Sequence, residues 1–277
     1  MSKLVIVGTP IGNLGDISPR AVKALEKCNF IAAEDTRVTL KLLNHLGIKK
    51  PMTSYFEHNR FEKGEEIIAR IAAGESCALV CDAGMPGISD PGEDLVRLCR
   101  QKGIKVEVVP GPTAFVAALS LSGMPSARFC FEGFLSTNKR KRREHIDSLK
   151  TERRTMVFYE APHKLPYTLK DLYEAFGERE IAIVREISKI HEETVIGSLS
   201  QASQRYKDEN IRGEIVLIVE GDSSPPEPEV SLEDMVCEAE KLMAQGLSLN
   251  EAAKSVAKNT AIKKGEIYKA LVEKKER

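Results

Sequence analysis

Short apolar runs and longer amphipathic runs take turns along the first third of the chain. KLVIVGT (3–9), FIAAE (30–34), MTSYF (52–56), CALVCD (77–82) and KVEVVP (105–110) are brief and dense in branched apolar residues, which predicts strands. Between and after them lie SPRAVKALEKC, TRVTLKLLNHLG, EKGEEIIARIAAG, EDLVRLCRQKG and TAFVAALSL. Their apolar positions recur three and four apart, which predicts helices. Ser18 reads as an N-cap with Pro19 at the first helical position, and Gly47 as a helix stop. Regular alternation of strand and helix predicts a parallel sheet with helices on its faces, an α/β class fold.

The order changes near residue 125. RFCFEGF, RTMVFYEA, EIAIVREI, EETVIGSL and GEIVLIVEG are strand candidates, and KLPYTLKDLYEAFG is a helix among them. ETVIGSL follows AIVREISK so soon that an antiparallel hairpin is expected, and with it a second, mixed sheet. Residues 222–230, acidic and ending in SPPEPEV, are a linker by composition. Three short helical patterns follow, the second opened by a capping box of Ser248 and Glu251. Their helix–Gly–helix–turn–helix form fits either a helix-turn-helix module or a plain docking bundle. The expected boundaries are 1–122 and 123–221 for two α/β domains, 222–231 for the linker and 232–277 for a helical appendage.

Composition narrows the function. Lys plus Arg and Asp plus Glu number 41 each, so bulk charge does not coat a polyanion, and any nucleic-acid contact needs a local patch. NKRKRREHIDSLKTERR (138–154) is such a patch. The six cysteines at 28, 77, 81, 99, 130 and 237 form no C-x-x-C, and most sit in apolar runs. They read as reduced core residues of a cytoplasmic protein, without a metal. MSKLVIVGT reads as a strand and not as a signal peptide, and no apolar run reaches membrane-spanning length.

Ligands of open α/β sheets bind at the carboxyl ends of the parallel strands. Those ends are GTPIGNLGD, AAEDTR, CDAGMPGISDPG and VVPGPTA, and three of the four are rich in Gly, Pro and small residues. Such loops present backbone N–H and C=O groups without crowding a ligand. The glycines of GTPIGNLGD, at 8, 12 and 15, do not match G-x-G-x-x-G, and G-K-[ST] is missing, so neither a dinucleotide nor a triphosphate is favoured. A neutral or zwitterionic adenosine-type ligand suits loops with so few cations.

LVIVGTPIGNLGDISPRAV, AAEDTR, DAGMPGISDPG, VVPGPTA, FYEAPHK and REISKIHEE, in this order, resemble the signature blocks of the tetrapyrrole-methylase-like family. The match is closest to its ribosomal RNA branch and covers about residues 3–221. One departure is Lys164 after His163, where that branch often carries Arg; the charge stays and the guanidinium fork goes.

The resemblance implies two α/β domains with S-adenosylmethionine in the cleft between them. It places Asp82, Ala83, Gly84 and Pro86 at the methionine end, with Ile88 and Ser89 closing over it. Thr113 and Ala114 would contact the cofactor from the fifth strand, and Pro10 would back it. Phe158, Tyr159, Gly213, Glu214 and Ile215 would meet the adenine region. The implied reaction is methyl transfer to the 2′-hydroxyl of a cytidine in the decoding region of small-subunit rRNA, free or assembled, by a homodimer.

That chemistry needs in-line positioning and help for a poor nucleophile, and no metal. Polar residues expected at the cleft are Asp16, Glu34, Asp35, Arg37, Glu57, His58, Asn59, Glu160, Arg185, Glu186 and Lys189. Glu186 and Lys189 are the first choice for catalysis, then Glu34 with Arg37. His45, His145 and His191 show no partner in the sequence, whereas His58 and His163 lie in matching blocks. Two other readings share parts of this pattern: carbon methylation of a tetrapyrrole precursor on the same scaffold, and a non-catalytic nucleic-acid-binding protein led by the C-terminal helices.

Overall fold

A computed structural model describes residues 2–207, 209, 211–224, 231–258 and 262–275. Two compact units result, Met1–Asp222 and Ser223–Arg277. The first holds both sheets.

The first sheet consists of β1 (Lys3–Val7), β2 (Phe30–Ala33), β3 (Met52–Ser54), β4 (Ser76–Val80) and β5 (Val106–Val109), in the order β3-β2-β4-β1-β5. Every pairing is parallel, as the alternation of elements predicted. The crossovers are α1 (Pro19–Lys27), α2 (Thr36–His45), α3 (Arg60–Ala72) and α4 (Gly92–Gln101). Side chains alternate along each strand. Val5, Val7, Ile31, Ala33, Ala78 and Val80 therefore form one core with Ala21, Leu25 and Leu43 of α1 and α2. Leu4, Phe30, Ala32, Cys77 and Leu79 form another with Ile67, Ile71 and Leu95 of α3 and α4. Ser18 caps α1 by accepting the Ala21 N–H at 3.1 Å, and Gly47 follows α2 at φ +70°.

α5 (Ala114–Ser122) leaves the first sheet and packs on the second, where Ala118 and Leu119 meet Val157, Ala182, Val184, Val216 and Ile218. The second sheet runs β6-β7-β10-β8-β9, with β6 (Phe129–Phe134), β7 (Thr155–Glu160), β8 (Glu180–Arg185), β9 (Glu193–Ser198) and β10 (Ile215–Val219). Only β6 and β7 are parallel; the expected hairpin is the antiparallel pair β8–β9. Its other face carries α6 (Lys139–Ser148), α7 (Leu165–Phe176) and α8 (Leu199–Arg205). The sequence pattern had not shown α8, a two-turn helix whose Ser198 and Gln201 form a capping box.

The second unit has its own core. Met235, Val236 and Ala239 of α9 (Leu232–Ala244), Ala252, Ala253 and Val256 of α10 (Leu249–Ala257), and Ile267 and Leu271 of α11 (Lys264–Lys275) pack together. Ser248 and Glu251 form the expected capping box of α10. Most of the expected linker, residues 225–230, lies outside the described residues. Cys28, Cys77, Cys81 and Cys99 are buried free thiols, Cys130 is half-buried and Cys237 exposed. Among the described residues, no helix is long and apolar enough to cross a membrane and no group of His, Cys, Asp and Glu is arranged to hold a metal.

Candidate active site

The loops after β1, β4 and β5 are stitched together through their backbones. Thr9 and Gly84 exchange N–H···O bonds of 2.9 and 3.2 Å, and Gly111 N–H points at Met85 Sδ at 3.1 Å. Gly8 and Gly111 lie against each other so closely that a Cβ on Gly8 would stand 2.6 Å from the Gly111 Cα. No other residue allows that approach, which accounts for the glycines in VGTP and VPGP. The loop after β2 joins through carboxylates: Asp35 N–H donates to Asp82 Oδ1 at 3.0 Å, and Asp82 N–H to Glu34 Oε2 at 3.3 Å. Asp90 ties the long β4 loop to itself, accepting from Gly87 N–H at 2.9 Å and Gly92 N–H at 2.7 Å.

These loops face the ends of β6, β7 and β10 across a cavity of about 390 Å³. Of the residues expected to bind a cofactor, Asp82, Ala83, Gly84, Ile88, Ser89, Thr113, Ala114, Tyr159, Glu214 and Ile215 line it. Pro10, Pro86, Phe158 and Gly213 do not. Phe158 turns the other way because neighbouring strand residues alternate: its ring is fully buried in the core under α7, while Tyr159 faces the cavity. Pro86 is buried and Pro10 half-buried. Gly213, at φ +92°, lets the Glu186 side chain lie over its backbone; a Cβ there would stand 2.4 Å from Glu186 Cγ.

The lining also contains Ile11, Cys81, Met85, Asp90, Phe134, Ala161, Pro162 and Ile187, which sequence reasoning had not singled out. Asp90 was visible as the second carboxylate of CDAGMPGISDPG. Phe134 was not, since an aromatic at a strand end has no marker of its direction. It is 56% exposed and stands 5.4 Å from the Tyr159 ring, which in turn packs edge-on to Phe131 at 5.0 Å. This gives the cavity one aromatic wall, suited to a flat heterocycle.

Its opposite wall is acidic. Burial raises the carboxyl of Glu34 above its ordinary value, and the nearby charges of Asp82, Asp90 and Asp35 add to that. Burial likewise raises Asp82 and Asp90. Among the described residues, no lysine or arginine lines the cavity. Three crowded carboxyls with raised affinity for protons favour a cation in their midst.

Glu186 and Lys189 do not line the cavity; they are joined to it through Glu214, which does. Lys189 Nζ donates to Glu186 Oε1 at 2.7 Å and to Glu214 Oε2 at 3.2 Å, and Glu186 Oε1 also accepts the Glu214 N–H at 2.9 Å. The hydrogen bond from Lys189 holds Glu186 below the usual carboxylate range. Burial pulls Lys189 down, but the two carboxylates outweigh it and its ammonium is held above the usual value. Glu186 and Ser188 both adopt left-handed backbone, at φ +51° and +65°, which non-glycine residues rarely do. Ser188 Oγ donates to Asp16 Oδ2 at 2.6 Å, tying this loop to GTPIGNLGD.

Other expected site residues have structural partners. Arg37 is 87% exposed and forks onto Asp35, whose carboxyl it holds at about 2. Asp35 also caps α2 by accepting the Arg37 N–H. Asn59 closes the turn before α3 by accepting the Phe56 N–H at 2.8 Å, Glu57 pairs with Arg60, and His58 stands edge-on to Phe56. Arg185 pairs with Glu193 at 2.8 Å. Glu160 lines the cavity but is engaged by Thr168 and the Ala161 N–H. His145 does have a partner, Glu132 at 2.8 Å, which a separation of thirteen residues hid from the sequence.

The family profile described as tetrapyrrole (corrin/porphyrin) methylases matches residues 3–203. A Synechocystis protein named ribosomal RNA small subunit methyltransferase I is 44% identical over 99% of this chain and 98% of its own length. A Thermotoga maritima protein of the same name is 47% identical over 80% of this chain and 99% of its own length. Among solved structures, the uroporphyrin-III C-methyltransferase of Thermus thermophilus complexed with S-adenosylhomocysteine superposes at TM-score 0.53 with 19% identity. It covers 78% of this chain and 96% of that one, a likeness of fold.

Proposed function

Because the chain belongs to the tetrapyrrole (corrin/porphyrin) methylase family, we propose that it methylates small-subunit ribosomal RNA with S-adenosylmethionine, at the 2′-hydroxyl of a cytidine in the decoding region. The observation that carries this reading is the cavity itself, with glycine-rich backbone and three carboxylates on one side and aromatic rings on the other. The residues fit the cofactor. Phe134 and Tyr159 offer rings to an adenine, Ala83, Thr113 and Ala114 offer unobstructed backbone, and Glu34, Asp82 and Asp90 favour a positive charge. The cofactor supplies an electrophilic methyl group.

The chain's own residues position and deprotonate the acceptor. Glu34 is the base in this reading: of the four candidates it is the carboxyl raised toward neutrality, where a general base works best. Lys189 presents a fixed ammonium to the oxygen as its charge develops. Glu186 is ionised and committed to Lys189, so it orients that ammonium and does not take the proton. Arg37 serves α2 and Asp35 in this account. Pro10, Pro86 and Phe158 support the lining from behind, and Gly213 makes room for Glu186.

The working form is a cytoplasmic homodimer in this reading. Val108, Val116 and Phe129, exposed on β5, α5 and β6, supply apolar surface for a second copy. Labelled-methyl transfer onto unmodified small subunits, followed by mapping of the modified ribose, tests the function. Label on a cytidine 2′-oxygen is expected. Label on a base, on a tetrapyrrole precursor added to the same assay, or nowhere contradicts it.

A further inference from the structure

We propose that the groove between α6 and α7 is a second binding surface, which grips the phosphodiester backbone of the RNA strand next to the nucleotide in the cleft. The inference rests on the RNA-methylating reading above.

The groove encloses about 700 Å³ and is lined by Lys139, Arg142, Arg143, Lys150, Lys164 and Lys170, against three carboxylates. The overall charge of the chain is zero, so this excess of cations is local. Among the described residues, the side chains of Lys139 and Lys164 make no hydrogen bond or ion pair, and Arg143 makes none either but feels the charge of Asp147, so all three can turn to an outside anion. Arg142 adds an independent sign. Its side chain is only 9% exposed and its Nε stands 2.8 Å from Asp171 Oδ2 as an ion pair, yet both its Nε and its Nη2 are buried without a hydrogen-bond partner. Buried donors are nearly always satisfied, and because Arg142 lines the groove, a turn of its guanidinium lets a phosphate oxygen there supply the missing acceptor.

Chain connectivity places the groove beside the cleft. Phe134 lines the cavity, and Thr137 and Lys139, a few residues on, line the groove. Pro162 lines the cavity, and Lys164, two residues on, lines the groove. Both helices thus begin a few residues beyond the cavity lining, with their N-terminal ends toward it. Tyr167, 70% exposed on the groove wall, offers a ring on which an unpaired base can stack.

The test uses the full chain and the double variant Lys139→Glu/Arg143→Glu, with Lys164→Glu as a second variant in case the first folds poorly. Thermal melting and S-adenosylmethionine affinity are measured first and are expected to match the parent. With unmodified small subunits, the apparent KM of the double variant should rise at least tenfold. The slope of log affinity against log salt for a protein-free rRNA fragment should fall by about 1.4, at about 0.7 per lost single-strand phosphate contact. An unchanged KM and salt slope in a folded variant overturns the groove while leaving the methyltransferase reading intact. A loss with subunits but not with protein-free RNA overturns it too, by assigning the groove to an acidic protein. Failure of the parent to methylate any subunit overturns the reading beneath it.

Discussion

The two sheet edges that face each other across the cavity are built on different principles. The first-sheet edge is backbone: Gly8 against Gly111, Thr9 paired with Gly84, and carboxylates that each engage a neighbouring N–H group. The second-sheet edge is side chain: Phe134 and Tyr159 as a wall, and Lys189 clamped between Glu186 and Glu214. Apart from Glu34, which takes the proton from the first edge in the reading above, the difference separates two tasks. A surface that holds one fixed molecule benefits from close, rigid backbone, whereas a surface that handles a changing charge needs a side chain whose protonation is set by its partners.

The comparison breaks most visibly at its tightest point. Gly111→Val places a Cβ 2.7 Å from the Gly8 Cα. Overpacking of this kind costs about 1–3 kcal/mol, and S-adenosylmethionine affinity by calorimetry is expected to fall at least a hundredfold. Retained affinity would show that the loop contact does not shape the cavity. On the other edge, Lys189→Ala should lower kcat by a factor on the order of 10²–10³, the range for one electrostatic stabiliser, with donor affinity nearly intact. Glu186→Gln should act in the same direction and less strongly. A loss of donor affinity matching the loss of kcat would merge the two tasks.

A smaller effect concerns pH. Glu34 and Asp82 have raised carboxyls, so their ionised forms are disfavoured in the free protein. A cation bound among them favours ionisation and releases protons. Donor affinity is therefore expected to rise from mildly acidic pH toward neutrality. The free protein loses a little stability over the same window, since ionising a carboxyl whose folded value is raised costs stability. Calorimetry in buffers of different ionisation enthalpy reads the released protons, and Glu34→Gln should flatten the pH dependence. The smallest effect is Arg37→Ala. Its fork onto Asp35 is solvent-exposed, so melting temperature and donor affinity should scarcely move, as for most surface pairs. A large drop in turnover would return Arg37 to the catalytic set.

Much of this was legible in the chain, edge by edge. Strands of the first sheet announced themselves as apolar runs, and their loops as clusters of Gly and Pro, because backbone geometry restricts residue choice locally. The acidic partners of the loops were in view as AAEDTR and CDAGMPGISDPG. The second edge was harder. Phe158 and Tyr159 are adjacent, and only strand register decides that Tyr159 faces the cavity and Phe158 the core. Phe134 likewise depends on β6 lying beside β7. The clamp on Lys189 draws Glu214 from 25 residues away, and His145 meets Glu132 only because α6 folds back on β6. Long-range partners leave no mark at fixed spacing. The C-terminal helices were readable as elements through their caps.

The central claim is that the cavity between the two edges holds the methyl donor. A crystal structure of the protein with S-adenosylhomocysteine tests it most directly. The account predicts the product against the backbone of Ala83 and Thr113, its adenine beside Phe134 and Tyr159, and Asp82 or Glu34 near the sulfur. Density for the product at any other surface, with this cavity closed by protein side chains, would contradict it.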